Sequence, residues 1–115
     1  MPRRLAIHPD SSEARSDCPI GRSLDLIGDR WTLLIVRDLF QGKRRFSEFL
    51  ASAEGIKTNI LTERLKRLER AGLVDRSPYQ KHPPRFEYHL TRTGRDLSPV
   101  LTAIFAWGRE YFRQG

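Results

Sequence analysis

The chain has 115 residues, enough for one domain with a modest core and too few for a second. Hydrophobic residues make up 38% and charged residues 30%, a balance that excludes a membrane-embedded or low-complexity protein. The net charge is +7 and it is localised: the segment from Lys43 to Arg95 holds 13 Lys and Arg against 6 Asp and Glu, and the remainder is balanced at 8 against 8. A positive excess confined to one segment is the footprint expected of a protein that neutralises phosphates.

No apolar run approaches the roughly 20 residues of a membrane span. Met1 to Asp17 lacks the hydrophobic stretch of a secretory signal, so a cytoplasmic protein is expected. Cys18 is the only cysteine, which precludes an intrachain disulfide and agrees with a reducing compartment.

Residues 1–17 are polar and aperiodic and read as a flexible arm, whose Pro2-Arg3-Arg4 touches either DNA or nothing; residues 18–112 read as a single domain. Cys18-Pro19 opens a first helix, because proline is favoured at the first helical position. Leu24 and Ile27 form its expected buried side, and Gly28 ends it. Asp29 is a suitable cap for a second helix, in which Trp31, Leu34, Ile35 and Leu39 recur at helical spacing up to Gly42. Both helices read as core scaffold, and Lys43-Arg44-Arg45 as a short first strand.

Ser47 is then expected to cap a helix that buries Phe49 and Leu50 and runs to Ala53, followed by a turn over Ala53-Glu54-Gly55-Ile56. Residues 57–71 form the longest amphipathic pattern of this segment. At about 100° per residue, Ile60, Leu61, Leu65, Leu68 and Ala71 share one arc, and Asn59, Thr62, Glu63, Lys66 and Arg70 lie opposite. Arg64 fits neither arc, so its stem is expected to pack while its guanidinium reaches an acidic partner or a phosphate.

Leu73–Ser77 and Phe86–Leu90 read as two strands, the second alternating Phe86, Tyr88 and Leu90 against Glu87 and His89. Pro78 to Arg85 is the tip between them, carrying Lys81, His82 and Arg85. Thr91 should cap a last helix, about 92–112, whose positions Leu97, Val100, Leu101, Ile104, Phe105, Trp107, Tyr111 and Phe112 make a broad aromatic-rich stripe. Pro99 falls inside it, and should remove the bond to Arg95 and bend the axis.

Short helix, glycine turn, longer helix and hairpin together spell a winged helix-turn-helix: mainly α with a small β wing over about 73–90, in the α+β class. The helix over 57–71 then enters a major groove. Lys57, Thr58, Asn59, Thr62, Glu63 and Lys66, near its N-terminal part, are the candidate base readers, since Asn pairs with adenine, Lys with guanine and Glu with the cytosine amino group. Arg70, Lys81, His82 and Arg85 are the candidate phosphate and wing contacts, which position a protein without selecting sequence. The alternative is a winged-helix protein-interaction module without specific DNA binding. Catalysis is not expected, because His8, His82 and His89 have no common place around Cys18. One Cys and three His also lack metal-ligand spacing, so neither a cofactor nor a metal is expected.

The strings CPIGRSLDLIGDRWTLLIVRDLFQGKRRFSEF, ILTERLKRLERAGLVDR and PPRFEYHLTRTG, with the late AWG, resemble the HxlR family of bacterial winged-helix transcriptional regulators. The resemblance covers nearly all of Cys18 to Gly108. It implies a homodimer built on the first and last helices, binding pseudo-palindromic operator DNA and usually repressing nearby genes. Leu24, Leu97, Leu101, Ile104, Phe105, Trp107 and Tyr111 are the candidate interface residues. The last helix gives this an independent motive, because it carries more apolar surface than so small a domain readily covers.

Where the family often has a Ser-Pro pair before the recognition helix, this chain has Lys57-Thr58, so either Thr58 caps one residue later or Lys57 meets phosphate. Several members of the family sense oxidants or electrophiles through a cysteine at the place of Cys18. Helix N-terminal amides favour thiolate, with Arg15 and Arg22 as possible contributors, which makes Cys18 a candidate redox sensor. The other reading is a buried, chemically silent side chain near the interface.

Overall fold

A computed structural model describes residues 16–113, so nearly all of the expected arm, with His8 and Arg15, lies outside the described residues. The elements in chain order are α1 (Pro19–Ile27), α2 (Thr32–Phe40), α3 (Phe46–Leu50), α4 (Thr58–Arg70), β1 (Val74–Lys81), β2 (Pro84–Leu90), α5 (Arg92–Arg95) and α6 (Ser98–Arg113). This is the mixed helical fold with a two-stranded antiparallel wing that the sequence pattern announces.

The core is a single cluster at the junction of α2, α3, α4 and the base of the wing. Ile35, Val36 and Leu39 of α2 meet Phe49, Ile56, Leu61, Leu65 and Leu68, with Leu73 and Val74 closing the layer. Each of the larger side chains contributes roughly 1.5–3 kcal/mol by leaving water. Asp29 caps α2 as expected: its Oδ2 accepts from the Trp31 and Thr32 amides at 3.0 and 3.1 Å, although the regular helix begins only at Thr32. Gly55, at φ +71°, supplies the left-handed residue of the turn between α3 and α4.

Several local expectations give way to packing. α1 buries only Ile27, and Leu24 is 55% exposed, so α1 is not core scaffold. The cap position of α3 is Arg45 rather than Ser47, and Glu48 holds the entry by accepting from the Arg44 and Arg45 amides at 2.7 and 3.0 Å. The helix stops at Leu50, which is only half-buried. Lys43-Arg44-Arg45 forms one antiparallel bridge, Arg45 to Glu87, instead of a strand.

The wing strands are longer than expected. Pro78 pairs with Phe86 and does not end β1, because β1 is an edge strand whose missing N–H disrupts no ladder. The register shifts between Pro78 and Gln80, leaving Tyr79 as the extra residue of an irregularity. The tip therefore shrinks to His82 and Pro83.

The expected last helix is two helices. Thr91 caps α5, accepting from Gly94 N at 3.1 Å, and a turn over Asp96 and Leu97 separates it from α6. Pro99 consequently sits in the first turn of α6, where amides have no helical partner in any case, and so it starts the helix instead of bending it. Gly94 permits the close approach of α5 to the start of the wing: a Cβ there would lie 2.1 Å from the Leu73 carbonyl oxygen.

Candidate nucleic-acid interface

α4 is held from one side only. Leu61, Leu65 and Leu68 are buried and Ile60 and Ala71 half-buried, which turns the opposite arc to solvent. Along that arc Lys57, Thr58, Asn59, Glu63, Lys66 and Arg70 are exposed, and Thr62 is half-buried. Among the described residues Lys57, Lys66 and Arg70 have no carboxylate partner.

Two of the candidate base readers are already engaged within the helix. Thr62 Oγ1 donates to the Thr58 carbonyl at 2.9 Å, which uses the hydroxyl proton inside the helix. Glu63 is held by the Arg64 guanidinium. Lys57 occupies the N-cap position without a side-chain cap and Thr58 is already helical, so Thr58 does not act as the cap.

Arg64 resolves as its position between the arcs implied. Its Nε donates to Asp29 Oδ2 at 2.8 Å. Burial tends to raise the Asp29 pKa, but hydrogen bonds from Thr32, Arg64 and the Trp31 amide outweigh it and hold the carboxyl down at about 2. Arg67 faces the same way, and its Nη2 donates to the carbonyls of Asp25 and Leu26 at 2.7 and 2.9 Å. Sequence reasoning missed Arg67, although Arg64 and Arg67, three residues apart, share a flank of the helix.

Beside α4 the wing carries His82 at its tip and Lys81 and Arg85 in the strand ends that flank it, all exposed and none in an ion pair among the described residues. Lower on the hairpin the positive charges are engaged. Arg45 lies over the Tyr79 ring at 3.8 Å and pairs with Glu87 at 3.2 Å. Arg76 lies over Phe86 at 4.2 Å and pairs with Glu69 at 3.1 Å. Positive charge without a carboxylate partner among the described residues thus stands on the outer arc of α4 and around the wing tip, as it also does at the exposed Arg30, Arg92, Arg95 and Arg109.

α6 presents the opposite chemistry. None of its residues is buried; Phe105 is 66% exposed and Trp107 64%. Ile104, Tyr111 and Phe112 are exposed with them, and Trp107 stacks on Tyr111 at 5.0 Å between centroids. The structure divides the candidate interface residues: Leu97 and Leu101 pack against the domain's own core, whereas Leu24 and the four beyond Leu101 remain outside.

Cys18 stands at the N-cap of α1 and is exposed, so burial in its own chain does not account for it. Amides of Gly21 and Ile20 directed at the sulfur lower its pKa. Arg22 is half-buried in α1, and Arg15 lies outside the described residues. No helix of the described residues is long and apolar enough to cross a membrane.

The family model described as HxlR-like helix-turn-helix matches residues 26–115. The chain belongs to the HxlR family. An HTH-type transcriptional regulator of Mycobacterium tuberculosis is 49% identical over 92 residues, 80% of this chain and 58% of the relative. The chain thus spans less than two thirds of that relative's length. YdeP of Bacillus subtilis, also an HTH-type transcriptional regulator, is 40% identical over 95% of this chain and 84% of its own. Among solved structures, the redox regulator HypR in its oxidised form superposes with a TM-score of 0.73 at 38% identity, covering 81% of this chain and 96% of its own. The reduced form of the transcriptional regulator YodB from B. subtilis gives 0.70 at 34% identity, covering 87% and 99%. The chain thus has the winged-helix fold of these regulators, with α4 and the β1–β2 hairpin as its candidate DNA-facing elements.

Proposed function

We propose that this HxlR-family protein binds operator DNA as a homodimer and represses the genes beside it. The observation that carries the reading is the one-sided burial of α4, which leaves Lys57, Lys66 and Arg70 exposed without carboxylate partners, next to a basic wing tip. Asn59 and Lys66 are the principal base readers, since both present unengaged polar ends to a groove. Lys57, Thr58, Thr62 and Glu63 complete the groove-facing set, with Thr62 and Glu63 adding contacts as they exchange their partners within α4. Arg70, Lys81, His82 and Arg85 bind phosphates, and Lys57 joins them at the uncapped amides of the α4 N-terminus.

Two subunits associate through α1 and α6, covering Leu24, Ile104, Phe105, Trp107 and Tyr111. Leu97 and Leu101 reach this interface only at its edge, because the core already holds them. A dimer seated on the operator blocks access to the promoter. Oxidation joins Cys18 to its counterpart or to a small thiol, each new S–S bond releasing two protons and two electrons to the oxidant, and alters operator affinity. The exposed, acidified thiol and the likeness to HypR support this switch.

Titrating a labelled duplex at increasing ionic strength tests the reading. With about ten phosphate contacts per dimer, affinity should fall by roughly 10³-fold or more between 50 and 200 mM salt. Absent or salt-indifferent duplex binding would favour the protein-interaction module instead. For the switch, diamide treatment should shift operator affinity reversibly. Unchanged affinity together with slow, ordinary alkylation of Cys18 would remove the sensor role.

A further inference from the structure

α1 and α4 are connected by a polar contact that neither the hydrophobic core nor the recognition surface requires. α1 buries Ile27 alone and packs Leu26 partly against the core, so its anchorage lies at its C-terminal end. There Arg67 of α4, with its side chain 18% exposed, bridges the Asp25 and Leu26 carbonyls at 2.7 and 2.9 Å. Three residues on, Asp29 binds Arg64 of α4 at 2.8 Å and caps α2 through the Trp31 and Thr32 amides. The two arginines grip the α1–α2 corner from consecutive turns of α4. A planar guanidinium bonded to two carbonyls fixes direction as well as distance, which an apolar contact does not.

We infer that Arg67 and Arg64, gripping the Asp25–Asp29 corner, are positioning residues that couple the placement of α1 to the orientation of the recognition helix. They add to the positive count of α4 but point inward, away from the arc assigned to DNA. The inference rests on the DNA-binding reading above and deepens it: α1 lies on the surface assigned to the second copy, so a displacement there alters how α4 meets the groove. Coupling between two sites is reciprocal, so operator binding must in turn be felt along α1.

Cys18, the single cysteine and exposed at the far end of α1, reports this without assuming that it is a sensor. The experiment compares the rate of N-ethylmaleimide alkylation with saturating operator, with random duplex and without DNA, in the intact protein and in Arg67→Met. Operator should change the wild-type rate by about fivefold. In Arg67→Met the change should vanish while affinity for random duplex persists, and Arg67→Lys should restore part of it. If Arg67→Met fails to fold, Asp29→Asn replaces it, since it keeps an oxygen for the Trp31 and Thr32 amides while losing the charge that holds Arg64. An equal change in wild type and variant, as direct shielding by DNA would give, overturns the inference, as does no change in wild type. Failure of the intact protein to bind any duplex overturns the DNA-binding reading itself, a distinct result.

Discussion

α4 and α6 are both amphipathic, yet they make opposite use of their apolar sides. In α4 the apolar arc is consumed by the domain's core and the charged arc is exposed. In α6 no residue is buried, and the aromatic stripe is itself the exposed side. An amphipathic pattern therefore reports that a helix has a partner without saying whether the partner belongs to the same chain. Here one helix is completed from within and the other leaves its apolar side exposed.

The largest expected effect separates these roles at α6. Replacing Ile104 and Phe105 with Glu should leave the fold intact, give monomers in sedimentation, and weaken operator binding by about 10²- to 10⁴-fold through loss of bivalency. A variant still dimeric would place the interface on another surface. On the inner arc of α4, Leu65→Ala should cost about 2–5 kcal/mol of unfolding free energy. Its neighbour Lys66, on the outer arc, should show the complementary behaviour: Lys66→Ala leaves stability unchanged but lowers discrimination between operator and random duplex by about 1–3 kcal/mol. Equal losses on both duplexes would show that Lys66 does not read bases.

Much of this division was legible beforehand. Leucines at helical spacing located the inner arc of α4, because periodicity alone fixes which side of a helix seeks a partner. The alternation around Tyr88 and Leu90 likewise located the wing, and Thr91 its exit. What remained hidden depends on groups distant in sequence. Nothing local to Leu24 says that the corner of α1, rather than its middle, would meet the core. Pro78 reads as a stop, and only its place on an edge strand makes it harmless. Thr62 and Glu63 looked available because the pattern places them outward, whereas short-range bonds to Thr58 and Arg64 engage them. The pairing of Arg64 was anticipated in kind, but Asp29 as its partner lies 35 residues away.

A smaller effect tests the corner that supports α4. The carboxyl of Asp29 sits at about 2 against an ordinary 3.8, so its stabilising effect is complete above about pH 4 and is lost as pH falls through 2. Urea midpoints should decline over that interval, and Asp29→Asn should flatten the decline; an identical acid profile would mean that the Arg64 contact contributes nothing to folding. The smallest effect belongs to the wing. Lys81→Ala should weaken all duplexes similarly and reduce the salt slope by about one per subunit. A loss confined to one sequence would make the wing a base reader.

The central claim, that two copies of α4 read one operator, is tested most directly by selecting bound sites from a random duplex library with the intact protein. The account predicts enriched inverted half-sites centred about 34 to 36 Å apart. Recovery of unenriched sequence, or of single half-sites with no fixed spacing, would contradict it.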